Sequence, residues 1–297
     1  MQMDIRILGA DSFGVRSLAT FVTTSRMRVF IDPGVSVCPK RDGHPPHRLE
    51  LEELSRVRAA IQEHARIADA IAITHFHHDH YTSFEDRPLD LTNPETAQAV
   101  YGDKPVYVKA WQRKLNHAQK TRAIEFLRSL GRRVTIADGG TFGGMAFSPP
   151  FKHGEAGSKQ GWVTMVLIED RDERLVFGSD IQLIERESVD WIIERKPKTL
   201  IVSGPPIYLR VLAEDARQRA SANLLRLAGA IPTIIIDHHL LRTADYHRFL
   251  AEPLRIARSA GHRVLTAADF MGRPNTLLEA RRRELWQSPP HPDPLRA

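Results

Sequence analysis

Ala70-Ile71-Ala72-Ile73-Thr74-His75-Phe76-His77-His78-Asp79-His80 decides how this chain reads. Its first four residues are an apolar run of strand length, and the polar residues after them open a loop. Side chains of extended backbone repeat every second residue, so His75 and His77 point the same way. Asp79 and His80 fall on the next bend, positioned for a second ion. Imidazoles and a carboxylate at this spacing, directly after a buried strand, form a metal-site pattern and not a solvated histidine-rich loop.

With this His-x-His-x-Asp-His signature the chain resembles the metallo-β-lactamase superfamily. The resemblance implies an α/β (α+β) fold, a four-layer αββα sandwich with a two-metal site at one edge of its paired sheets. It also implies further motifs in a fixed order downstream and upstream. Met27-Arg28-Val29-Phe30-Ile31-Asp32-Pro33-Gly34 is a strand running into a turn where the superfamily places an Asp. Asp-Pro-Gly is also a generic turn signal. The role implied for Asp32 is to orient a metal-bound His by accepting its other ring N–H. Phe151-Lys152-His153-Gly154 supplies the third His of the first metal. Leu175-Val176-Phe177-Gly178-Ser179-Asp180 ends in a carboxylate whose two oxygens are expected to bridge the ions. As bare sequence, Ser179 and Asp180 also suit a helix N-cap. Ile234-Ile235-Ile236-Asp237-His238-His239-Leu240-Leu241-Arg242 closes the series. His238 is the expected last ligand, because similar phosphodiesterases carry it four residues before an Arg. His239 stays open as the alternative.

The implied site has His75, His77 and His153 on one metal and Asp79, His80 and His238 on the other, with Asp180 between them. Asp79 and Asp180 are the residues expected to matter most for catalysis. A nitrogen-rich set without thiolate favours Zn²⁺, and Mn²⁺ or Fe would tolerate it. Two divalent ions about 3.5–4 Å apart lower the pKa of a shared water toward about 7, which suits hydrolysis.

A narrower resemblance covers residues 5 to 286. Gly14-Val15-Arg16-Ser17-Leu18-Ala19-Thr20-Phe21-Val22, Pro39-Lys40-Arg41, Pro45-Pro46-His47, Ser203-Gly204-Pro205-Pro206, Asp237-His238-His239-Leu240-Leu241 and Ala267-Ala268-Asp269-Phe270 are similar to the mostly archaeal UPF0282 group of metallo-β-lactamase-fold hydrolases. That resemblance implies the chemistry and names no substrate.

Composition fits such an enzyme. The 297 residues, 42% of them hydrophobic, allow a sizeable core. One hydrolase domain over residues 1–287 is expected, followed by a Pro-rich, disordered tail over 288–297. A single cysteine, Cys38, excludes an internal disulfide. No apolar run approaches the roughly 18 residues that cross a membrane, and the first residues lack a signal peptide's apolar core. The expected location is the cytoplasm, with no membrane partner.

The net charge of +6 and a pI near 9.6 attract phosphate-rich partners. The charge is dispersed, however, and aromatic residues are only 7%, with no base-stacking stripe. The Asp180-to-His238 gap is also short for the extra domain that RNA-processing members of the superfamily insert there. A small-molecule or phosphate-containing substrate is therefore favoured over nucleic acid. The loop 35–49 is expected to shape the pocket, with Lys40, Arg41, His44 and His47 as anion contacts; Arg16 and Arg242 are further candidates.

The leading expectation is a metal-dependent hydrolase of a phosphodiester or other anionic substrate. The alternatives are a thioester or lactone hydrolase and a metal-bound, non-catalytic binding protein. Zinc β-lactamases commonly place a Cys where Asp180 stands, and flavodiiron reductases usually carry Glu for the second His. Oligomeric state is open.

Overall fold

The computed structural model describes residues 3–155, 157 and 160–287; the Pro-rich stretch 288–297 lies outside them. Six strands form the first sheet in chain order: β1 (Asp4–Ile7), β2 (Thr20–Thr23), β3 (Arg28–Ile31), β4 (Ala70–Ile73), β5 (Val106–Val108) and β6 (Thr135–Ile136). β1 to β3 are antiparallel and β3 to β6 parallel. The next strands are β7 (Thr141–Phe142), β8 (Met145–Phe147), β9 (Phe151–Lys152), β10 (Trp162–Val163), β11 (Val166–Asp170), β12 (Glu173–Phe177), β13 (Thr199–Val202), β14 (Thr233–Ile236) and β15 (Arg263–Leu265). Seven of them make the second sheet, ordered β15-β14-β13-β12-β11-β8-β7, while β9 and β10 pair separately.

Period-two alternation builds the layers. Val29, Ile31, Ala70 and Ala72 face Leu175, Phe177, Ile201 and Ile235 in a core between the sheets. Their neighbours Phe30, Ile71 and Ile73 turn outward onto α1 (Arg48–Ile67), α2 (Pro94–Tyr101) and α3 (His117–Leu130). On the far side Val176, Leu200, Ile234 and Ile236 pack under α4 (Arg186–Glu194), α5 (Glu214–Ala230) and α6 (Tyr246–Ser259). Two short helices, α7 (Ala267–Phe270) and α8 (Arg282–Gln287), follow. Strands buried on both faces read as continuous apolar runs, and the result is the αββα sandwich.

The apolar stretch 162–168 reads in the sequence as one strand, and the structure makes it two, β10 and β11. At its break Thr164 donates its N–H to the Thr74 carbonyl at 3.1 Å, and Met165 N–H goes to Ser148 Oγ at 2.8 Å. A backbone group spent on the other sheet cannot continue its own ladder. The bond also ties the second sheet to the first residue after β4, where the histidine motif starts.

Loop 35–49 is fastened from the far end of the chain. Fully buried Arg282 pairs with Glu50 through both carboxylate oxygens (2.6 and 2.8 Å) and donates to the Cys38 carbonyl at 2.8 Å and the His44 carbonyl at 3.3 Å. Trp286 stacks on His44 and donates to the Pro45 carbonyl.

Candidate metal centre

Each candidate residue sits just past the C-terminal end of a strand: His75 to His80 after β4, Asp32 after β3, His153 after β9, Asp180 after β12 and His238 after β14. Parallel strands bring these ends to one edge, so residues far apart in sequence converge. The turns are tight. Asp32, Ser179 and His238 all have positive φ, at 48°, 53° and 60°, a conformation that non-glycine residues adopt at local cost. Asp237 holds the last turn by accepting N–H bonds from Ser12, His238 and Ala267. Gly34 is required by proximity, since a Cβ there would lie 2.3 Å from the Tyr81 nitrogen and 2.6 Å from the His80 nitrogen.

Asp180 is the centre of the cluster and fully buried. Its Oδ1 lies 3.1 Å from His80 Nε2 and 3.5 Å from His238 Nε2. Oδ2 lies 3.2 Å from His153 Nε2, 3.3 Å from His239 Nε2 and 3.5 Å from His75 Nε2. Despite this crowding, both Asp180 oxygens, His75 Nε2 and both His153 ring nitrogens have no hydrogen-bond partner. Buried polar atoms are ordinarily paired. Ring nitrogens and carboxylate oxygens that converge in this way fit divalent ions; of four overlapping groups among the described residues, which also include Asp32-His75-His80 and Asp180-His238-His239, two match the expected ligand sets. His75, His77, His153 and Asp180 form one, and Asp79, His80 and His238 the other.

Electrostatics divide the rings between the two sets. Burial pushes His75, His77 and His153 below the ordinary histidine value, which leaves neutral rings with lone pairs. Burial also acts against His80, but Asp180 and Asp32 beside it raise it well above that value. Burial would raise Asp180 and Asp79, yet the surrounding imidazoles hold both well below the carboxylate range, with Arg242 adding to the effect on Asp79.

Around the cluster, carboxylates take the outward ring nitrogens. Asp32 Oδ2 accepts from His80 Nδ1 at 2.8 Å and from the Thr74 hydroxyl at 2.6 Å. Asp11 Oδ2 accepts from His238 Nδ1 at 2.6 Å, and its Oδ1 from Arg242 Nε at 3.0 Å. A carboxylate can only accept, so His238 and His80 each hold a proton on Nδ1 and direct Nε2 toward the cluster. His239 is arranged the other way: its Nδ1 lies 3.1 Å from the Gln182 amide nitrogen, a donor, which places the ring proton on Nε2. Arg242 Nη2 lies 3.4 Å from Asp79 Oδ2 and 3.1 Å from His238 Nε2.

A cavity of about 310 Å³ opens beside the cluster, bordered by His77, His153, His239, Tyr208, Gln160 and four arginines. Arg16 and Arg242 are among those arginines. Arg41 stays at the rim, with its guanidinium 4.6 Å from the Tyr208 ring and a bond to the Arg242 carbonyl. Lys40 is exposed. His47 caps α1 together with Glu50, and His44 stacks on Trp286. None of these three borders the cavity; the clamp on the loop turns them away. Asp11, Gln119 and Gln182 were not evident in the sequence. Asp11 follows β1 as Asp32 follows β3, and that shared strand-then-carboxylate pattern was the available signal.

The fold is that of the metallo-β-lactamase superfamily. Among solved structures, the E377D mutant of CmlA β-hydroxylase matches 85% of this chain with a TM-score of 0.50 and 14% identity; the match spans about half of that protein, 51%. Tm1679, a metal-dependent hydrolase of the β-lactamase superfamily, matches 89% of this chain and 96% of its own at a TM-score of 0.47 and 12% identity. No protein-family model matches the chain. A UPF0282 protein of Thermococcus gammatolerans is 41% identical over 286 residues, 94% of this chain and 93% of the relative. One from Methanopyrus kandleri is 40% identical over 288 residues, covering 94% and 97%. The chain belongs to the UPF0282 family.

Proposed function

We propose that residues 1–287 act as one metal-dependent hydrolase with a dinuclear centre, probed best with Zn²⁺ and Mn²⁺, on a phosphodiester or other small anionic substrate. The observation that carries this reading is the convergence of buried imidazole nitrogens on both oxygens of Asp180, with His75 Nε2, both His153 ring nitrogens and the Asp180 oxygens themselves left without a hydrogen bond. His75, His77, His153 and Asp180 Oδ2 would hold one ion. Asp79, His80, His238 and Asp180 Oδ1 would hold the other. Such a pair supplies a water acidified toward neutral pH and a Lewis acid for the scissile group. Asp32 and Asp11 hold the His80 and His238 rings at fixed tautomer and angle. His239 borders the cavity with its Nε2 3.3 Å from Asp180 Oδ2, and with that nitrogen protonated it would serve as a donor and not a ligand. Arg242 keeps Asp79 ionised.

Arginine lining supports an anionic substrate over a lactone or thioester, whose acyl portion calls for apolar walls. A cavity of this size accepts a small molecule more readily than a nucleic acid duplex. Among the described residues no helix is long and apolar enough to cross a membrane, and we place the enzyme in the cytoplasm. The test is hydrolysis of bis(p-nitrophenyl) phosphate by Zn²⁺- or Mn²⁺-loaded protein, with Asp79→Ala as the blank. Turnover lost in Asp79→Ala is the expected result. Equal turnover in the variant overturns the two-metal reading, and absent turnover with about two ions bound redirects the search to lactones and thioesters.

A further inference from the structure

Four guanidinium groups border the cavity, and their partners are unequal. Arg16 is held by both oxygens of Glu279 at 2.7 Å. Arg242 bonds Asp11 at 3.0 Å and approaches Asp79 at 3.4 Å. Arg87 pairs with Asp90. Arg122 donates through Nη1 to the Phe76 carbonyl oxygen at 3.1 Å and has no carboxylate partner among the described residues. Three of these charges are thus neutralised inside the protein, and Arg122 is the one that is not.

Its position is set from two sides. α3 presents Gln119 and Arg122 three residues apart on one face. Gln119 reaches the His77 ring at 3.1 Å, while Arg122 reaches the backbone between His75 and His77. Arg122 is therefore a half-buried cation moored to the histidine motif itself, beside a cavity that leads to the cluster. A partly desolvated charge without a counter-charge is costly, and a planar guanidinium is suited to grip a carboxylate or phosphate through two N–H groups.

We propose that Arg122 anchors a second oxyanionic group of the substrate, a carboxylate or phosphate separate from the group presented to the His/Asp cluster. This rests on reading that cluster as a dimetal hydrolase centre. The substrate class is then a small molecule with at least two anionic groups, one at each end of the cavity. Arg16, Arg87 and Arg242, already paired, shape the wall and do not compete for the anion.

The experiment is calorimetric titration of metal-loaded, full-length protein with malonate, glutarate and pimelate, using butyrate as the single-carboxylate control. At least one diacid is expected to bind about tenfold more tightly than butyrate. That preference should vanish in Arg122→Gln and persist in part in Arg122→Lys, with circular dichroism confirming that both variants fold. Diacids that bind no more tightly than butyrate, or a preference that survives in Arg122→Gln, overturn the anchor. Turnover of bis(p-nitrophenyl) phosphate by the same wild-type preparation is scored apart. An Arg122-dependent diacid preference without turnover keeps the anchor and rejects the phosphodiesterase reading. Turnover without that preference rejects the anchor alone.

Discussion

Two buried polar clusters in this protein are built on opposite terms. Around Arg282 each charge is answered: Glu50 takes two N–H groups, and the Cys38 and His44 carbonyls take more. Around Asp180 five ring nitrogens come within 3.1–3.5 Å of the carboxylate, yet neither oxygen has a hydrogen bond. Burial is equally complete in both. The first cluster is finished by the protein and fastens loop 35–49 to the C-terminal helix. The second is left unfinished, as ligands for an external cation must be. Satisfaction, and not burial or charge, separates structural polarity from functional polarity here.

Substitution at each centre should separate the two. Asp180→Ala is expected to lower metal content from about two ions per chain and to reduce turnover by about 10³-fold, while far-ultraviolet circular dichroism stays native. Elemental analysis showing two ions still bound would break the comparison. Arg282→Ala should do the reverse. It leaves Glu50 as an unpaired buried charge and should cost about 3–5 kcal/mol in urea unfolding, with metal content unchanged in the folded fraction.

Smaller effects sharpen the picture within the site. Asp11→Asn should weaken binding of one of the two ions by about 10–100-fold in a chelator competition, because the His238 ring exchanges a carboxylate partner for an uncharged amide. In the same assay His238→Ala should be more damaging than His239→Ala; the opposite order would exchange their roles. The smallest effect concerns pH. Beside Arg16, Glu279 is held down to about 2, although burial alone would raise it. A carboxyl lowered on folding stabilises the fold above its unfolded value of about 4.3, and the stabilisation is lost as pH falls from there toward 2. Wild-type protein should therefore lose on the order of 1–3 kcal/mol across that window in acid titrations of stability. Glu279→Gln should show a flatter profile.

The comparison also marks how far the sequence could be read. Residues 70–80 carry their message locally, because an apolar strand and ligands within six residues need no distant partner to be recognised. Helical patterns near 49–66, 116–130, 208–229 and 243–260 are equally local, and they correspond to α1, α3, α5 and α6. Short helices were not evident. α2 was announced only by Asn93-Pro94, a cap followed by a proline at the first helical position, and α4 spans just two and a half turns. Loop 35–49 borders the cavity through Ser36, Val37 and Pro39 as expected, but its basic side chains misled for a physical reason. Its Lys40 and His47 have the chemistry of anion contacts, but Arg282, more than two hundred residues away, decides which way the loop faces.

By itself the sequence determined most of the longer strands, the apolar alternation that stacks two sheets between helices, and the candidate metal ligands at the strand ends. All of these follow from periodicity and from chemistry within a few residues. Only the tertiary structure decided which partner each ring meets at Nδ1, and so where its proton sits. His238 and His239 are neighbours with identical side chains, and no local rule distinguishes them. Asp11, 227 residues from His238, and Gln182, 57 residues from His239, impose opposite tautomers on the two rings. A proton's place on an imidazole depends on the partner across the fold, and that partner is set by packing, not by sequence spacing.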